Sequence, residues 1–376
     1  DTLSLHDALP ICYRSSMTQI LHKRAPALSI RAGHLARQLI EQEGLHAQHV
    51  DIIPGAAGGP KGIGIQGLDQ AIFGEFFAQA PKRRTVVGSS IGSWRFASIL
   101  AWGAKQGTER LSDLYTNLYF HKKMSRQEVA EICQNMLFEL IQGQQQQLIQ
   151  HPDYHLTVIS VKAQHIFQSD QALPLLASVA GIIGSNAIAR KHNRLFMQRV
   201  ISQPAQGQQF MVKDDFVTHY QALNEKNVTP WLLASASIPG VMSAIRDIPD
   251  APVGSYRDGG LIDYHLDLPY QSQGIVLYPH FTDSITPGWF DKMLKHRKAN
   301  PENQARTLLL SPSAEYLSSL PLGRLPDRKD FTLKGLDQAQ RVRLWKQSVA
   351  ESQRLGDEFL EMVEKQNFPQ FMQTLS

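Results

Sequence analysis

Ser90 lies at the centre of Gly88-Ser89-Ser90-Ile91-Gly92, a run that fits G-x-S-x-G and makes its hydroxyl a candidate nucleophile. So short a pattern recurs by chance, so its flanks carry the weight. Thr85, Val86 and Val87 before it are β-branched and read as the end of a buried strand. Ile91, Ala97, Ile99 and Leu100 after it read as the apolar positions of a helix. Strand, tight turn and helix is the setting of a nucleophile elbow, in which Gly88 and Gly92 keep the turn small. The helix N-terminus then favours negative charge developing beside the serine.

A serine hydroxyl at its ordinary pKa needs a base, and the charge that builds on an attacked carbonyl oxygen needs fixed N–H donors. Asp258 in Arg257-Asp258-Gly259-Gly260 is a candidate base, although Asp-Gly is also a common turn dipeptide. The donors could come from Gly55-Ala56-Ala57-Gly58-Gly59-Pro60-Lys61-Gly62, where Pro60 suits a first helical position and has no N–H of its own. That turn does not fit a phosphate loop, because Pro60 precedes Lys61 and Gly62 follows it. It lacks G-x-G-x-x-G as well. A plain tight turn and an oxyanion hole for Ser90 both remain open.

The elements that must position these residues follow from periodicity. His49–Pro54, Thr85–Val87, Leu156–Val161, Gly274–Phe281 and Thr307–Ser311 read as strands, and Arg194–Ile201 with Gln209–Val212 as a strand pair. Leu28–Glu43, Asp113–His121, Ser125–Gln150 and Trp231–Pro239 read as helices, with Ser125 and Glu128 fitting a capping box. Gly335–Lys365 reads as one long amphipathic helix. Leu173–Ala189 is the most apolar stretch, yet its glycines, proline and asparagine leave it short of a spanning helix. It reads as a buried helix or helical pair. The alternative is a lipid-facing surface beside the site, with Arg190, Lys191 and Arg194 at headgroup level.

Composition narrows the class. Hydrophobic residues at 42% and charged residues at 19% exclude general disorder, and a net charge of +4 without a long run of like charges argues against nucleic acid. Cys12 and Cys133 suggest neither a metal site nor a disulfide framework, which points to a reducing, cytoplasmic setting. No H-E-x-x-H, EF-hand loop or Cys/His cluster asks for a metal. Residues 1–16 lack the regions of a signal peptide and read as a disordered or non-native leader, with Met17 opening a single domain over 17–376.

Three blocks in this order resemble the patatin-like phospholipase family: the glycine turn ending in Lys61-Gly62, the elbow at Ser90, and Asp258-Gly259-Gly260. Ala234-Ser235 with Pro239 is similar to that family's A-S-x-x-x-P block. The blocks cover 48–102 and 230–269; 103–229, a cap or insert, and 270–376 carry no matching motif. The resemblance implies a three-layer α/β/α sandwich with a mostly parallel sheet, and a Ser90–Asp258 dyad without histidine or cofactor. It also implies an oxyanion hole of Gly58 and Gly59 N–H groups, an acyl lipid or ester substrate, and peripheral membrane contact. Two positions depart from the family. Ala56-Ala57 stand where it begins Asp-Gly, and Asp263 and Tyr264 where it often has asparagine before proline. Asp263 is read as structural.

Two further readings stay open. His265, His280 and His296 follow Asp258, so chain order permits an α/β-hydrolase triad. A non-catalytic lipid- or protein-binding relative is the third.

Overall fold

The computed structural model describes residues 25–121 and 124–375; the leader expected at 1–16, with Cys12 and Met17, lies outside them. Runs of apolar residues with almost no alternation, such as Ile52-Ile53 and Val86-Val87, form strands buried on both faces, as parallel strands are. In chain order the strands are β1 (Leu28–Ala32), β2 (Val50–Gly55), β3 (Arg84–Ser89), β4 (Tyr154–Ala163), β5 (Met197–Pro204), β6 (Thr218–Leu223), β7 (Tyr256–Asp258), β8 (Ile275–Pro279), β9 (Thr307–Pro312) and β10 (Gln373–Thr374). They build one 10-stranded sheet in the order β10-β1-β9-β8-β2-β3-β4-β5-β6, with β7 paired to β4 off that path. The central run β9-β8-β2-β3-β4 is parallel. β1 on β9, β5 on β4 and β7 on β4 are antiparallel. The chain is an α/β protein with a mostly parallel mixed sheet.

The longer helices are α1 (His34–Glu43), α2 (Ile91–Trp102), α3 (Ala104–Asn117), α4 (Arg126–Ile141), α5 (Ala172–Ile188), α6 (Val228–Ser235), α7 (Gln338–Glu351) and α8 (Gln353–Lys365). The Ser125–Glu128 capping box opens α4, each backbone N–H donating to the other residue's side chain. One large core joins both ends of the sheet. A smaller one, with Phe167, Leu175, Ile182 and Met197, lies under α5. The 103–229 stretch contributes β4, β5 and β6 to the central sheet.

Several sequence-based expectations are corrected. Leu28–Ala32 is not the start of a helix but strand β1, its burial alternating along the edge of β9; the helix begins after Gly33, whose Cα sits against the Gln304 carbonyl. Gln209–Val212 is not a strand. The Phe210 and Val212 N–H groups donate to the Gln203 and Tyr220 side chains, and β6 pairs with β5 instead. The expected helix over Gly335–Lys365 is two helices broken at Ser352, whose hydroxyl accepts the Gly67 N–H at 2.9 Å. Leu173–Ala189 is neither fully buried nor a pair. It is the single helix α5, buried along Leu175, Ser178, Ile182 and Asn186, with Leu173, Leu176 and Ile183 exposed on the opposite face.

Candidate functional site

β3 pairs with one edge of β4 and ends with Ser89 opposite Ile159. β5 occupies the other edge, so β7, which pairs Asp258 with Ser160, lies on the same edge as β3 and runs towards it. The two strands meet end to end, and this register brings Ser90 and Asp258 together across 168 positions of sequence. Ser90 Oγ donates to Asp258 Oδ2 at 2.9 Å, and both residues are buried.

The elbow is real backbone geometry. Ser90 has φ 55 and ψ −127, a conformation that costs a non-glycine residue on the order of 1–3 kcal/mol. Glycine is required at both neighbours by close approach. A Cβ on Gly92 would come within 1.9 Å of the Gly55 carbonyl oxygen, and one on Gly88 within 2.4 Å of the Ser93 nitrogen. Three interactions hold the strained serine. Its N–H donates to Ser235 Oγ at 2.9 Å, while Ser235 donates to the Ile159 carbonyl. Ser93 Oγ donates to the Ser90 carbonyl. Beneath α2, Arg95 grips Asp69 through two bonds of 2.9 and 2.6 Å, tying the elbow helix to the segment that follows the glycine turn.

Within that turn, Ala57 N–H donates to the Tyr264 carbonyl at 2.9 Å and is thereby engaged. The Gly58 and Gly59 N–H groups have no protein acceptor among the described residues. Gly58 and Ser90 line one cavity, Gly59 and Ser90 another. Gly62 packs on Ile91 and Lys61 pairs with Asp327 at 3.6 Å. The Ile91 N–H, at the start of α2, is a further donor next to the serine that spacing alone did not single out.

Asp258 is oriented by the Gly260 N–H, which donates to Oδ1 at 2.7 Å; Gly259 leaves no room for a Cβ, which would meet the Ile159 carbonyl oxygen at 2.2 Å. Burial pushes the Asp258 carboxyl up to about 6, against the pull of Arg328, the Gly260 N–H, the Ser90 hydroxyl and Lys292. Asp263 plays no part in this. It is fully buried and held by Arg199 through bonds of 2.6 and 2.9 Å.

No histidine lines either cavity or bonds to Ser90 or Asp258 among the described residues. His265 and His280 are buried against each other, 4.3 Å between ring centroids, and burial holds both well towards the neutral form. His296 is exposed. The triad alternative therefore has no histidine in position.

Ser90 stands where two cavities of about 370 Å³ each adjoin. One is the more polar of the two, with the charged groups Lys61, Lys292, Arg328 and Asp327 set in a wall shared with Tyr264, Trp289, Leu261 and Phe290. The other is apolar, walled by Trp94, Leu118, Phe120, Val129, Met136 and Phe331. Cys133 also lines the apolar cavity, its thiol pushed up to about 11 by burial and so unreactive. Ile238 and Val241, just past the small-residue helix α6, border both.

The chain matches no protein-family model and no curated protein. The case for a function rests on the site itself and on the four motif blocks.

Proposed function

We propose that this protein is a serine-dependent lipid acyl hydrolase of the patatin-like type, with the three-layer fold that likeness implies. The observation that carries the reading is the 2.9 Å hydrogen bond from a strained, buried Ser90 to Asp258, placed where a polar and an apolar cavity meet. Asp258, with its pKa near 6, is ionised at neutral pH and a stronger base than an ordinary aspartate. It takes the Ser90 proton as Oγ attacks the ester carbonyl. The Gly58 and Gly59 N–H groups receive the oxyanion, a contribution worth about 10²–10³ in rate per donor. Collapse expels the alcohol, which leaves with the proton from Asp258. Water, deprotonated by the same carboxylate, then releases the acyl group from Ser90.

The apolar cavity takes the acyl chain. The exposed face of α5, with Leu173, Leu176 and Ile183 and the exposed basic residues Lys191 and Arg194 beyond it, meets the lipid surface; Arg190, expected at headgroup level with them, instead turns inward to the Ile262 carbonyl, Asp263 and Asp291. Val179 on the same helix lines the polar cavity, so the docked face lies beside the entrance. No helix among the described residues is long and apolar enough to cross a membrane.

The test is a p-nitrophenyl ester chain-length series together with fluorophosphonate labelling. The parent is expected to label at Ser90 and to hydrolyse medium and long acyl chains faster than acetate, because the apolar cavity takes the chain. Ser90→Ala and Asp258→Asn should each lose at least ~10³ in kcat/KM while remaining folded. A folded parent that neither labels nor turns over any chain length defeats the proposal and leaves a binding protein as the better reading.

A further inference from the structure

The polar cavity holds more positive charge than ester hydrolysis asks for. Of its three cations, Lys61 is paired with Asp327 at 3.6 Å. Neither Lys292 nor Arg328 has a carboxylate within ion-pair distance among the described residues, and the remaining acid, Asp258, is bonded to Ser90 and Gly260. Both cations are held in place. Lys292 sits on the 3₁₀ turn Trp289–Met293, tied down by the buried Asp291, which accepts from the Gly288 N–H and from Asn186. Its ammonium group lies 3.9 Å from the Tyr264 ring centroid and 5.5 Å from that of Trp289. Arg328 opens the 3₁₀ turn Arg328–Phe331, anchored by the buried Asp330, which is bonded to Arg324 and to Trp345 Nε1. Its guanidinium lies against the glycine turn, so that a Cβ on Gly59 would come within 2.7 Å of Nε. It also borders both cavities.

Two cations without a carboxylate within ion-pair distance, Arg328 also bonded to Tyr115, repel each other in one cavity, and desolvation together with Lys61 and Arg328 pulls the Lys292 ammonium group down to about 8. An anion between them would relieve that repulsion. A planar guanidinium beside a point-like ammonium suits the several oxygens of a phosphate. On the other side of Ser90 an apolar cavity of about 370 Å³ adjoins, with room for one acyl chain.

We propose that Lys292 and Arg328 form a recognition site for the phosphate group of a single-chain acyl ester, with phosphate in the polar cavity and chain in the apolar one. The inference rests on the hydrolase reading for its scissile bond, but not for its binding site. Lys292 and Arg328 are specificity-determining residues for the headgroup; Ser90 and Asp258 remain the reacting groups.

The experiment is calorimetric binding of two probes that offer Ser90 no carboxylic ester to cleave, decyl phosphate and 1-O-decylglycerol, each below its critical micelle concentration, to the parent protein. Decyl phosphate should bind at least ~10-fold more tightly, as expected for one or two charge-assisted hydrogen bonds, with the gap narrowing as salt is raised. Lys292→Gln and Arg328→Gln should each close most of the gap, while Lys292→Arg keeps it, which separates charge from a packing defect. Equal binding of the two probes overturns the inference, as does a gap that survives both glutamine substitutions. Inorganic phosphate binding as tightly as decyl phosphate would also overturn it, because the cations would then serve a free ion rather than a lipid headgroup. Neither probe contains a carboxylic ester. A protein that binds decyl phosphate selectively but hydrolyses nothing would refute the hydrolase and leave this site standing.

Discussion

Asp258→Asn should make the protein more stable while abolishing its activity. The wild-type carboxyl is buried, and its pKa is raised from 3.8 to about 6, chiefly by desolvation. At about 1.4 kcal/mol per unit, keeping it ionised in the folded state costs on the order of 3 kcal/mol above that pH. Asparagine has nearly the same shape. Its Oδ1 can still accept the Gly260 N–H, and its amide can donate to Ser90 Oγ, so the hydrogen bonds of the site survive without the charge. The sign follows from proton binding. Between about pH 4 and 6 the folded wild type holds more protons than the unfolded chain, so this group makes stability fall as pH rises through that window. The asparagine variant lacks the penalty. Urea unfolding should therefore show it more stable by about 2–3 kcal/mol at pH 8, with the gain fading as pH falls from about 6 to 4. A gain independent of pH, or a loss at pH 8, would show that Asp258 is not held ionised at a cost, and the argument for it as a tuned base would fail.

The same pKa sets the acid limb of activity: kcat/KM for a neutral ester should fall below about pH 6, and a limb near 4 would place the base elsewhere. Ser235→Ala removes the acceptor of the buried Ser90 N–H and should cost about 1–3 kcal/mol in urea unfolding and at least ~10-fold in kcat; unchanged kcat would mean the elbow holds its own geometry. Gly92→Ala forces a methyl into the Gly55 carbonyl and should destabilise by about 4 kcal/mol or more, read as loss of a cooperative transition or of soluble protein. On α5, Leu173→Ser with Leu176→Ser should reduce sedimentation with vesicles containing anionic phospholipid, leaving hydrolysis of a monomeric short-chain ester in place; undiminished sedimentation would move the docking surface elsewhere.

What was legible in the sequence is what backbone geometry dictates. At the elbow, the approach of Gly92 to Gly55 and of Gly88 to Ser93 leaves no room for a side chain, so glycine stands at fixed offsets from Ser90 and a short pattern captures it. The same holds for Gly259 against Ile159. Strands buried on both faces betrayed themselves as apolar runs, whereas β1, with Leu28, Ile30 and Ala32 buried on one side, blended into the helical spacing of Leu35, Leu39 and Ile40 that follows. Ser235 was visible as part of the Ala234-Ser235 and Pro239 block, but without a role. Its bond to Ser90 depends on α6 packing on β4 and β7 beside the elbow, which no local window contains. Lys292 and Arg328 were less legible still. A charge that must reach a cavity on a flexible stem imposes no fixed spacing on its neighbours, and each rides on a turn anchored by a buried aspartate far from the motif blocks. Motif-based reading therefore finds where bond-making chemistry would occur and is blind to what selects the substrate. In this chain the two residues proposed for that second role are brought in by the fold alone, from segments that carried no recognisable signal.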